Sequence, residues 1–170
     1  MNLTAVSRLL CASVLASLLV ASLPLPVAAA AGKLDAARDL QRDAKLAIGA
    51  GVPLIVMVSL ADCLHCEGVR RSHLLPLLRQ PPGGTRWMIR QVELNGSDVV
   101  AGFNGEQMTH AEFARRNKVS IAPVVLFFGA NGDRLADPLV GAMLPDFYGA
   151  YFDAAVEKAT ATIRAAVQLR

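Results

Sequence analysis

Residues 52–66 read VPLIVMVSLADCLHC, an apolar run that closes on two cysteines three positions apart. Val52 to Leu60 is rich in Val, Ile and Leu and is expected to form a buried strand. Asp62 is placed to cap a helix that starts at Cys63. There the Cys63 sulfur would face unpaired backbone N–H groups and the positive end of the helix dipole. Both favour thiolate over thiol, and the thiolate is the nucleophile in disulfide exchange. Cys66, one turn on, is within reach to resolve a mixed disulfide. The spacing points to redox chemistry at Cys63 and Cys66.

The chain's beginning bears on where that chemistry would run. Arg8 is the only charge ahead of an apolar stretch from Leu9 to Leu23, which Pro24 and Pro26 break before the small residues Val27 to Ala31. This is the layout of a cleaved secretory signal peptide, with the cut expected after Ala30. The apolar stretch falls short of the ~20 residues that span a bilayer, so no stable membrane insertion is expected. Cleavage would remove Cys11, leaving only Cys63 and Cys66 of the three cysteines. A bridge between those two removes only ~2 kcal/mol of chain entropy, which makes it a poor staple and a plausible switch.

Residues 31–170 are long enough for one domain with a full core. The formal charge is +3, and +2 once Arg8 is lost. Arg70, Arg71, Arg115, Arg116 and Lys118 have no aromatic residues interleaved, which argues against a nucleic-acid partner. Leu34, Ala37, Leu40, Ala44, Ala47 and Ile48 share a helical stripe over Lys33–Gly49. The helix from Cys63 should run to about Leu75, where Pro76 ends or kinks it. Trp87–Leu94 has strand character, and Asn95–Gln107 reads as an exposed insertion. Thr109 and Glu112 make a capping box for a helix to about Lys118. Val124–Phe128 (VVLFF) is a second apolar strand, Asn131-Gly132 a hairpin turn, and Arg134–Val140 the returning strand. A final helix opens at Pro145-Asp146. Alternating strands and helices imply an α/β fold with parallel pairing, and the hairpin adds an antiparallel edge.

These ordered features resemble the thioredoxin superfamily in its secreted bacterial branch, over roughly Ala44 to Ala166. The resemblance rests on a strand followed by Cys63 and Cys66, on Ile121-Ala122-Pro123 before VVLFF, and on Asn131-Gly132-Asp133 in the hairpin. It implies a mixed central sheet with helices on both faces and an extra N-terminal helix. It also implies a cis Ala122–Pro123 bond that faces the cysteines and shapes a substrate groove. The implied activity is thiol–disulfide exchange in the periplasm with protein dithiols or disulfides and a membrane-bound redox partner, without cofactor or metal. The chain departs from cytosolic thioredoxins in carrying Asp62 before the first cysteine and Leu64-His65 between the two. Met57 stands where that family has a buried acid, and Val124 follows the proline. His65 is similar to the intervening histidine of the oxidising DsbA proteins.

His65 and Asp62 are therefore the expected tuning residues: a protonated histidine favours the Cys63 thiolate, and the carboxylates of Asp62 and Glu67 oppose it. Their balance is expected to leave the pair more oxidising than thioredoxin. A second reading stays open, a thiol-based module handling copper, because soft sulfur suits Cu(I). Zinc would need four ligands, and only His73 and His110 remain to help; both are expected at the surface. Haem attachment fails because Glu67, not histidine, follows Cys66. Trp87, Met57 and Met88 are expected to pack in the core or sheet.

Overall fold

The computed structural model describes residues 32–79, 81–141 and 145–168. The expected signal segment, residues 1–30, lies outside the described residues. Strand β1 (Leu54–Ser59) is buried at every position and forms the middle of a four-stranded sheet of order β2-β1-β5-β6. β2 (Met88–Glu93) runs parallel to β1, while β5 (Val124–Phe128) is antiparallel to it and β6 (Leu139–Val140) antiparallel to β5. Strand side chains alternate between faces, so the two apolar strands feed two cores. Ile55, Met57, Val125 and Phe127 pack with Val69, Leu74, Phe152 and Ile163 on one face. Leu54, Val56, Leu126 and Phe128 pack with Leu40, Ala44 and Phe113 on the other. Fully burying each of these large side chains contributes about 1.5–3 kcal/mol.

The antiparallel β1–β5 pair departs from the parallel pairing that the strand–helix alternation implied. Helix α4 (His110–Arg116), which precedes β5, has seven residues and is only about 10 Å long at 1.5 Å per residue. It is too short to return the chain along a six-residue strand of about 20 Å. The chain therefore enters β5 at the end where β1 finishes, with Val58 opposite Val124.

Helix α1 spans Leu40–Gly49 and not Lys33–Gly49, because Asp39 is its N-cap and accepts the Arg42 N–H. Leu34 and Ala37 are buried as expected, but from extended backbone. Ala37 N–H donates to the Gln91 carbonyl at 2.8 Å and Gln91 N–H to the Asp35 carbonyl at 2.9 Å, so this segment lies along the edge of β2. Asn95–Gln107 is likewise more ordered than an exposed insertion. β3 (Val99–Ala101) and β4 (Gln107–Thr109) pair antiparallel, burying Val100 and Met108. Gly105, at φ +81°, lies in the connecting turn. Thr109 caps α4 through the Glu112 N–H at 3.1 Å, a contact worth about 1 kcal/mol.

Past the cysteines, helix α2 (Leu64–Val69) widens into a π-helical turn, Arg70–Leu74, and continues as α3 (Leu75–Arg79). Pro76 neither ends the helix nor stands at its last residue. The wider i→i+5 register relieves the clash of its ring with the carbonyl four residues back. The return after the Asn131-Gly132 turn is interrupted too. Arg134 bridges Phe128, but pairing resumes only at Leu139, because Pro138 has no N–H to donate. Helix α5 (Pro145–Gln168) covers one core with Tyr148, Phe152, Ala155, Ala159 and Ile163. Among the described residues no helix is long and apolar enough to cross a membrane.

Three polar features of the interior bear on stability. Asp43, buried on α1, takes two hydrogen bonds from Arg90, at 2.6 Å from Nε and 3.2 Å from Nη2. His110 is only 1% exposed and not at the surface. Its Nδ1 accepts the Glu93 N–H at 3.2 Å, which leaves Nε2–H to donate to the Ala37 carbonyl at 2.9 Å. His73 is half-buried beside Tyr148, ring centroids 4.9 Å apart. Burial lowers the His73 pKa, with Asp153 opposing the shift, and burial raises that of the Tyr148 phenol well above its ordinary value. The described residues form an α/β, thioredoxin-like fold with a mixed central sheet and helices on both faces, in which α1 joins the extended segment at the edge of β2 to β1.

Candidate active site

Cys63 sits between β1 and α2 and is itself the N-cap, with extended backbone at φ −91° and ψ 103°. Its Sγ accepts the Cys66 N–H at 3.1 Å, and its carbonyl accepts the Glu67 N–H at 3.0 Å. Asp62 does not cap the helix. It lies at φ +54°, a left-handed turn position from which the extended geometry of an N-cap is closed to it. Its side chain is exposed at the lip of the site. Cys63 and Cys66 are joined as a disulfide with Cα atoms 5.2 Å apart. The two sulfurs are in different environments: Cys66 is fully buried with Met57 and Val69, while Cys63 is half-exposed.

The residues expected to surround the pair divide into two groups. Ala122 packs, with Cys63, against the core that contains Cys66, and the Ala122–Pro123 peptide bond is cis. Pro123 is buried at the start of β5, its carbonyl accepting the Gly141 N–H at 2.8 Å. His65 points away to solvent and, among the described residues, makes no hydrogen bond to either cysteine. Leu64 between Cys63 and His65 is 82% exposed, and Ile121 beside the proline loop is 52% exposed. The rim of the site is therefore apolar at two points.

A polar group beneath the helix was not singled out from the sequence. Arg70, in the π turn, pairs with Glu67 and donates from Nε to Gln91 Oε1 at 3.1 Å and from Nη2 to Ser59 Oγ at 3.4 Å. Gln91 Nε2 in turn donates to Glu93 Oε1 at 2.5 Å. Glu67 and Arg70 are three apart, a helix pair visible in the sequence. The link to β2 depends on register, which sets Met57 beside Gln91 and Ser59 beside Glu93. Cys63, Glu67, Arg70, Gln91 and Glu93 line one groove of about 590 Å³. Among the described residues, no three His, Cys, Asp or Glu side chains converge as a metal set.

No known family profile matches the chain, and no curated protein matches it. Among solved structures, it is similar to a thioredoxin-fold protein from Helicobacter pylori. That match is 16% identical with a TM-score of 0.41, covering 71% of this chain and 87% of the other. It is also similar to thioredoxin Mala s 13 of Malassezia sympodialis, at 15% identity and TM-score 0.45, covering 76% of this chain and 92% of the other. The description of the fold stands on the sheet order and the connections given above.

Proposed function

We propose that this protein is a periplasmic thiol–disulfide oxidoreductase, exported by a cleaved segment of residues 1–30, that exchanges disulfides with protein partners. The observation that carries the reading is the asymmetry of the pair: a half-exposed Cys63 at a helix N-terminus bonded to a buried Cys66. In the reducing direction the Cys63 thiolate attacks one sulfur of a partner disulfide. That S–S bond breaks and the other partner sulfur leaves as a thiolate. Cys66, deprotonated, then attacks Cys63 Sγ, the mixed disulfide breaks, and the second partner sulfur leaves. Two electrons pass to the partner, whose thiolates take up protons from solvent, and the Cys63–Cys66 disulfide remains. The oxidising direction is the same sequence reversed.

In this reading Ala122 and Pro123 shape a substrate groove of their own beside Cys63, with the Ala122 backbone available to an extended partner strand. His65 and Asp62 set the potential, which lies at roughly −150 to −240 mV, above the thioredoxin value of about −270 mV. A membrane-bound partner would renew the pair. A Cys66→Ser variant should accumulate mixed disulfides with its partners, visible on non-reducing gels and released by dithiothreitol. Equilibration with glutathione should give a potential in the stated range. A Cys66→Ser protein that captures nothing, together with reduced wild-type protein that retains copper through purification, would overturn the reading in favour of metal handling.

A further inference from the structure

Leu34 is buried in the same core as Cys66 and Met57. The backbone just beyond it is held at the edge of β2, where the Asp35 carbonyl accepts the Gln91 N–H and the Ala37 N–H donates to the Gln91 carbonyl. This anchorage leaves Lys33 exposed on the wall of the groove that Asp62 and Cys63 also line. Among the described residues Lys33 has no carboxylate partner. The other cation of the groove, Arg70, is engaged by Glu67, Gln91 and Ser59, and Arg71 pairs with Glu67 from outside. Lys33, Arg70 and Arg71 together balance the carboxylates of Asp62, Glu67 and Glu93. Without Lys33 the surroundings of Cys63 are negative. His65 points to solvent, and the proline loop, Ile121 to Pro123, brings no charge.

We propose that Lys33 is a positioning residue for the exchange reaction, its ammonium being the counter-ion of the Cys63 thiolate. The proposal rests on the oxidoreductase reading above. The disulfide is neutral, so the charge that Lys33 answers exists only after reduction. A partner dithiol that opens the Cys63–Cys66 bond delivers two electrons and becomes a disulfide itself. One of its two protons goes to Cys66 and the other to solvent, and Cys63 is left as a thiolate. An opposite charge nearby favours that ionised form. Across a groove of this size, in water-like surroundings, the attraction favours the thiolate about threefold. The extended segment ahead of α1 thus carries part of the active site to the cysteines.

The test titrates Cys63 in the full reduced protein by its rate of alkylation with iodoacetamide against pH, at about 10 mM and about 1 M salt. In the dilute buffer Lys33→Gln should titrate about half a pH unit above wild type, the same threefold loss of thiolate. Lys33→Arg should keep the wild-type value. Lys45→Gln, the same charge change on α1 across the sheet, should also keep it. In concentrated salt the Lys33→Gln difference should close, because screening then acts within about 3 Å. Equilibration with glutathione should place Lys33→Gln about 15 mV below wild type, the potential equivalent of threefold. A Lys33→Gln protein that titrates with wild type in dilute buffer would overturn the proposal. So would an equal shift in Lys45→Gln, a shift that survives concentrated salt, or a Lys33→Arg protein that behaves as Lys33→Gln. Alkylation needs no partner, so a protein that exchanges with no disulfide would overturn the oxidoreductase reading separately, whatever the titration gives.

Discussion

The Sγ of Cys63 accepts the backbone N–H of Cys66 at 3.1 Å, so the helix that carries the second cysteine is capped by the first. One sulfur thus faces outward at the helix start while the other is buried beside Met57. In the reduced protein, iodoacetamide should modify Cys63 at least about tenfold faster than Cys66, because the thiolate at an accessible helix start is the reactive form. Brief alkylation followed by peptide mass spectrometry measures the ratio. Preferential labelling of Cys66 would reverse the assigned roles.

Asp43 and Arg90 form a bidentate pair largely out of water. Asp43→Ala would leave a mostly buried guanidinium with only the Ile89 carbonyl and the more distant Asp35 carboxylate to hold it, at a cost of about 3 kcal/mol. Urea denaturation should show that loss. Replacing both partners with leucine should be far less damaging than the single change, since no charge is then stranded.

Tyr148 gives the opposite expectation. Among the described residues its buried hydroxyl has no partner, so Tyr148→Phe removes an unmet polar group and keeps the ring that packs on His73. Stability should hold or rise by about 1 kcal/mol. A melting temperature several degrees lower than wild type would show that the hydroxyl is satisfied in solution.

His73 should make stability fall with acid. Burial depresses its folded pKa below the ordinary 6.5, against a smaller opposing effect of Asp153, so the unfolded chain binds the proton more readily. The contribution is fully present above pH about 6.5 and is lost as pH falls through the depressed folded value. Denaturation midpoints of wild type and His73→Gln, compared from pH 7.5 to 4.5, should show a steeper acid decline for wild type. Parallel curves would exclude His73 as a source of it.

Features governed by neighbouring residues were the legible ones. The run LIVMVS could only be a buried strand, VVLFF likewise, and Thr109 with Glu112 announces a helix start. Cys63, Cys66, Ala122 and Pro123 followed from motif order. Features decided by distant pairing were read wrongly. Leu34 and Ala37 have helical spacing, yet Gln91 draws their backbone into an extended bridge. His110 looks like a surface residue at a helix start until the Ala37 carbonyl and the Glu93 amide are placed on either side of it. Asp62 has the composition of a cap and lacks the backbone angle. Glu93 was an ordinary strand residue until β2 was set in register with β1, which brings its carboxylate under the cysteine helix.

The extended segment before α1 does more than lengthen the sheet. Through Ala36 and Gln91 it occupies the open side of β2, and through Asp39 and Ala101 it also ties in the β3–β4 hairpin. At the far side, β6 is two residues long and follows Pro138. Neither margin offers a long row of free N–H and C=O groups to another chain, the arrangement by which sheet proteins resist edge-to-edge aggregation. Trimming residues 33–39 would bare β2 on one side. The shortened protein should then self-associate at concentrations where the intact chain does not, through a surface that has nothing to do with its cysteines.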